Sequence, residues 1–68
     1  MWKEIRKASG LTQQEMGKRT NYSKNRICQY EKGYRTMPKK LQIEYLKLRN
    51  SEEDKIIIEF LEGELENE

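Results

Sequence analysis

The chain contains no histidine and only one cysteine. Without histidine the commonest general base is missing. A lone thiol can neither close an internal disulfide nor complete a Cys/His set for zinc. Ser9, Ser23 and Ser51 sit where helices begin or end and have no base beside them in sequence to activate them. No run of apolar and polar residues alternates long enough to make a strand, so no Gly-rich phosphate loop can follow one. These gaps argue against an enzyme and leave no cofactor, metal or small-molecule ligand to expect. The longest apolar run is 56–58, far short of the ~20 residues that span a membrane. The opening MWKEIRK has no apolar signal-peptide core behind its charges. With a single thiol that suits reducing conditions, the expectation is a soluble cytoplasmic protein.

The 68 residues fit one small domain. A chain of this size buries only about 60% of its unfolded surface, so stability has to come from well-capped helices and a partner subunit as much as from the core. The net charge of +2 conceals a division. Residues 1–50 carry 13 Lys/Arg against four acids, a balance of +9, and residues 51–68 carry one Lys against eight acids, a balance of −7. This reads as a basic body for a polyanion followed by an acidic helix and tail.

Helix punctuation is dense. Trp2, Ile5 and Ala8 share a helical face, with Trp2 a plug over Ile5 and the last helix, and Gly10 stops the segment. Thr12 and Glu15 form a capping box, with Leu11 and Met16 as its staple, opening a second helix over 13–20. Asn21 suits a left-handed stop. Ser23 caps a third helix, Tyr22 staples onto Ile27, and Gly33 ends it. Pro38 fits the first turn of a fourth helix that reaches residue 49, with Leu41, Tyr45 and Leu48 on one face. Ser51 and Asp54 open a fifth, whose acidic first turn suits the helix dipole. No linker divides the chain, so residues 1–68 form a single all-α domain of five short helices.

On the third helix, Ile27 and Tyr30 fall on one side while Lys24, Asn25, Cys28, Gln29 and Lys32 fall on the other, with Arg26 on a flank. Lys, Asn and Gln can supply the donors and acceptors that read base edges in a major groove. Taken alone, this face fits a base-reading helix and a plain solvated helix equally well. The short turn of residues 21–23 favours the first, because it makes helices two and three a helix-turn-helix. Gly17 fits that reading as the point where a side chain would force the two helices apart.

The stretch LTQQEMGKRTNYSKNRICQYEKGYRTMP resembles the helix-turn-helix of the phage repressor and Cro family, also called the XRE family. It shares Leu-Thr-Gln, Glu-Met-Gly for the usual Glu-Leu-Ala, the serine cap, Ile27, and Glu31 two before Gly33 with Pro38 five beyond. Asn21, Tyr22 and Cys28 depart from the usual Gly, Val/Ile and polar residue. The resemblance spans residues 2–48 and implies a five-helix, lambda-repressor-like domain that regulates transcription by occupying an operator in double-stranded DNA. It implies a homodimer on a near-palindromic site, assembled at the latest on the DNA. It also implies base reading by Lys24, Asn25, Cys28 and Gln29. Phosphate contacts fall to Gln13, Arg26, Lys32, Tyr34, Arg35, Lys39 and Lys40, with Gln13 also bracing Asn25. Arg6 and Glu31 match an internal ion pair; read without the resemblance, Arg6 is simply one more exposed cation. Cys28 has no resolving cysteine for a redox switch and suits a thymine methyl better.

In the last helix Ile56, Ile57, Phe60 and Leu61, with Ile58 and Leu65, make a stripe broader than closing a small core requires. Either all of it closes the core, or Ile57, Phe60 and Leu61 form a dimer interface, the expectation adopted here. Gly63 is expected to fray this helix and leave residues 64–68 mobile. The rival function is a protein-interaction module, antitoxin-like or host-factor-binding, that keeps the fold and uses the Ile/Phe helix.

Overall fold

A computed structural model describes residues 1–66 and contains five helices, with no strand among those residues: α1 Trp2–Ala8, α2 Gln13–Thr20, α3 Lys24–Lys32, α4 Lys39–Arg49 and α5 Glu52–Glu66. Local hydrogen bonds explain most of the boundaries. Thr12 Oγ1 accepts from the Glu15 N–H at 3.1 Å while Glu15 Oε1 accepts from the Thr12 N–H at 3.0 Å, which closes the capping box of α2. Ser23 Oγ accepts from the Arg26 N–H at 3.1 Å and opens α3. Asn21 adopts φ 66° and Gly33 φ 80°, so each helix ends on a left-handed residue. Asn50 ends α4 the same way at φ 52°.

The turn between α2 and α3 is tight enough to touch α2 itself. The Tyr22 N–H donates to the Gly17 carbonyl at 2.8 Å. A Cβ on Gly17 would overlap the Tyr22 carbonyl oxygen, which is fixed backbone. Gly17 is therefore required, although what it makes room for is the turn rather than the body of α3.

The core forms around α4, which has two apolar faces. On one, Leu41 and Tyr45 pack with Met16, Ile27, Tyr30 and Met37, joining α2, α3 and the loop before α4. On the other, Ile43 and Leu46 meet Ile58 and Leu61 of α5. Trp2 packs against both groups and sets its ring edge-on to Tyr45, with centroids 5.7 Å apart. Tyr22 likewise stands edge-on to Tyr30 at 5.6 Å.

Three expectations are corrected. Pro38 is the N-cap of α4 rather than part of its first turn; its carbonyl accepts from the Leu41 and Gln42 N–H groups, each at 3.0 Å. Gly63 does not fray α5, which runs on to Glu66 with Leu65 packed against the core. Residues 67–68 of the expected mobile tail lie outside the described residues. Leu61 is 8% exposed and closes the core, so it is not part of a free interface. Positions 54, 58, 61 and 65 recur at helical spacing and turn toward α4, leaving Ile56, Ile57 and Phe60 on other sides with 71%, 45% and 65% of their surface exposed.

Candidate nucleic-acid interface

Beneath α3 lies a buried polar knot. Arg6 Nε donates to Glu31 Oε2 at 2.7 Å and Arg6 Nη2 to Glu31 Oε1 at 3.0 Å, a two-pronged pair between α1 and α3. The third prong, Arg6 Nη1, donates to the Leu11 carbonyl at 2.8 Å. The Tyr45 hydroxyl of α4 donates to Glu31 Oε2 at 2.7 Å, and Gln13 Nε2 of α2 donates to Glu31 Oε1 at 3.3 Å. Four helices thus converge on one carboxylate. The side chains of Arg6 and Glu31 are only 6% and 2% exposed, and no buried side-chain polar atom among the described residues lacks a partner.

The electrostatics follow from this geometry. Burial pushes the Glu31 carboxyl up, but hydrogen bonds from Arg6, Tyr45 and Gln13 outweigh it and hold the group below its ordinary value. The bond to Glu31 raises Arg6. Burial, and then the bond to Glu31, push the Tyr45 phenol far above its ordinary value, so it stays a donor. Glu31 is the one acid of α3. Turning it inward onto Arg6 neutralises it and removes negative charge from the outer surface.

That outer surface carries the residues expected to meet DNA. Lys24 and Asn25 are exposed near the start of α3, with Cys28 and Gln29 half-buried one turn on. Arg26 is half-buried on the flank, and Lys32, Tyr34 and Arg35 are exposed at and beyond the C-terminal end. Lys32 Nζ stands 6.0 Å from the Tyr34 ring centre, at the outer limit of a cation–π contact. Lys40 is exposed at the start of α4. Lys39, beside it, pairs with Glu64 of α5 at 2.9 Å.

Two placements differ from expectation. The Gln13 side chain bonds Glu31 rather than bracing Asn25, because the buried carboxylate is the stronger acceptor within reach. Arg35, expected on a phosphate, donates from Nε to Gln29 Oε1 at 2.8 Å. The left-handed Gly33 turns the chain back over α3 and brings Arg35 beside Gln29. A second pair also went unforeseen: Arg49 at the end of α4 grips the buried Asp54 of α5 with two hydrogen bonds, and these lower the Asp54 carboxyl. Ser51 Oγ adds a bond to the Asp54 N–H at 3.1 Å. This second knot joins the acidic helix to the body far from α3 in sequence.

No group of His, Cys, Asp and Glu among the described residues is arranged to hold a metal ion. None of the described helices is long and apolar enough to cross a membrane. A family model described as helix-turn-helix matches residues 3–44, which run from α1 into α4. Comparison with curated proteins and with solved structures gives no match.

Proposed function

The chain belongs to the XRE-type helix-turn-helix family of DNA-binding transcription regulators, and from that premise we propose that it occupies a specific operator, as phage Cro and repressor proteins do, by laying α3 in the major groove. One observation carries this reading: the outer face of α3 holds Lys24, Asn25, Cys28 and Gln29, while its single acid is tied inward to Arg6. Amides and cations there match the donor and acceptor pattern of base edges. Arg26, Lys32, Tyr34, Lys39 and Lys40 flank that face and serve the phosphates, which set register and affinity. Gln13 acts through Glu31, steadying α3, and adds the α2 N-terminus to a phosphate contact. The whole chain acts as one cytoplasmic domain, with residues 1–50 as its basic DNA-binding body.

A single helix-turn-helix reads too few base pairs to find one site in a genome. Two copies related by a two-fold axis read half-sites about 34 Å apart. Ile57 and Phe60, with Ile56 beside them, supply the apolar surface for such a homodimer. The same exposed trio supports a second reading, a module that docks another protein. Selection of bound sites from random DNA, followed by titration of the winner across a range of salt, separates the two. A regulator selects a near-palindrome, and its affinity falls steeply with salt, as for a protein that neutralises about six phosphates. A docking module selects nothing.

A further inference from the structure

Gln29 and Arg35 are held together by the way α3 ends. Gly33 takes φ 80° and reverses the chain. The Tyr34 N–H then donates back to the Gln29 carbonyl at 2.9 Å, pinning the returning backbone beside the helix. The next residue, Arg35, reaches the Gln29 side chain and donates from Nε to its amide at 2.8 Å.

This contact fixes which way the amide points. A guanidinium has five N–H donors and no acceptor, so the atom of the Gln29 amide that faces Arg35 has to be the oxygen. The amide nitrogen, with two donors, is left as the end of the group that no partner engages. A glutamine free to turn reads adenine by donating to N7 and accepting from the N6 amino group. Here one of the two lone pairs of the accepting oxygen is engaged by a cation, so an adenine amino group would have to share that oxygen with Arg35 and approach beside its positive charge. Guanine presents N7 and O6, both acceptors.

We propose that Gln29 and Arg35 act as one unit that reads guanine, Arg35 orienting the Gln29 amide so that its N–H donors turn to the base while its oxygen is turned toward the cation. The proposal rests on the reading of α3 as the base-reading helix and adds to it a positioning residue and a base. Exclusion of water beneath bound DNA strengthens a bond that is weak on the free surface.

The test is selection from random DNA with the parent, Gln29→Ala, Arg35→Met and Arg35→Lys. Gln29→Ala flattens one position, and this identifies the base beneath Gln29. At that position the parent favours guanine over adenine on the order of tenfold. Arg35→Met cuts the ratio to about twofold or reverses it, and Arg35→Lys restores guanine because an ammonium also donates to the amide oxygen. Arg35 is exposed, so these replacements leave the fold standing.

A mere phosphate contact behaves differently. Arg35→Met would then weaken every sequence alike with the guanine ratio unchanged, and that result overturns the proposal while leaving the DNA reading intact. Adenine favoured by the parent at the Gln29 position, or no position flattened by Gln29→Ala, overturns it equally. A parent that binds no DNA at any salt overturns the reading of α3 and this inference with it.

Discussion

α3 and α5 solve opposite problems. α3 has nine residues and buries two, Ile27 and Tyr30, yet three other helices grip it through Glu31. α5 has fifteen residues and is held along the line of Asp54, Ile58 and Leu61, with apolar residues left over on its outside. A helix anchored by a polar knot at one end can devote its outer face to amides and cations. A helix anchored by an apolar stripe, with more apolar residues around it, presents a surface that water covers poorly. The comparison separates a surface suited to a polyanion from one suited to another apolar face.

The largest effect is expected from breaking the knot. Glu31→Ala leaves Arg6 buried without its partner, and such uncompensated charges cost ~3–5 kcal/mol. In a domain this small that loss unfolds most molecules, which circular dichroism against urea would reveal. A variant as stable as the parent would show that α3 is held by Ile27 and Tyr30 alone.

Next comes the division of α5. Leu61→Ala should cost ~2–5 kcal/mol, as for buried leucines elsewhere. Phe60→Ala, on the exposed side, should stay within about 0.5 kcal/mol. Equal effects from the two would erase the distinction between the inner and outer faces. Phe60→Glu and Ile57→Glu carry the comparison further. Both should fold normally, and the proposed homodimer predicts that the parent sediments as a dimer, on DNA if not before, while both variants stay monomeric under the same conditions.

Gly17→Leu should cost ~1–3 kcal/mol, since the Tyr22 carbonyl cannot move aside without opening the turn. A parent-like melting curve would mean that α2 and the turn separate freely.

Acid should reveal a smaller effect with a defined sign. The folded protein holds Glu31 and Asp54 below their ordinary carboxylate values. Each therefore contributes stability that is complete above the ordinary range of ~4 and is lost as pH falls through the lowered folded value. Urea midpoints measured from pH 6 downward should drop below about pH 4. In Glu31→Gln that decline should be shallower, because one of the lowered carboxyls no longer titrates.

How much of this was legible in the sequence depends on how local its cause is. The caps at Thr12, Ser23, Asn21 and Gly33 were legible because each depends on residues three or four positions away. The requirement for glycine at position 17 was legible from the brevity of the turn. Ile57 and Phe60 were expected on the surface and are exposed there, but the assignment of Leu61 to the core was not legible. α5 is apolar on several sides, and which side turns inward is decided by Ile43 and Leu46 of α4, distant in sequence. The partners of Gln13 and Arg35 were hidden for a related reason. A long polar side chain takes the best acceptor within reach, and that acceptor is known only once the helices are placed. Asp54 read as a first-turn acid, and its burial against Arg49 follows from the sharp left-handed end of α4 at Asn50.

The central claim is that the outer face of α3 distinguishes one DNA sequence from another. Its most direct test is the affinity of Asn25→Ala for the selected site and for random DNA of equal length, in the same salt. Asn25 is exposed, so the fold survives its loss. The expected result is a loss of ~1–3 kcal/mol on the selected site with binding to random DNA nearly unchanged. An equal loss on both, or none on either, would contradict the claim and leave α3 a helix that touches DNA without reading it.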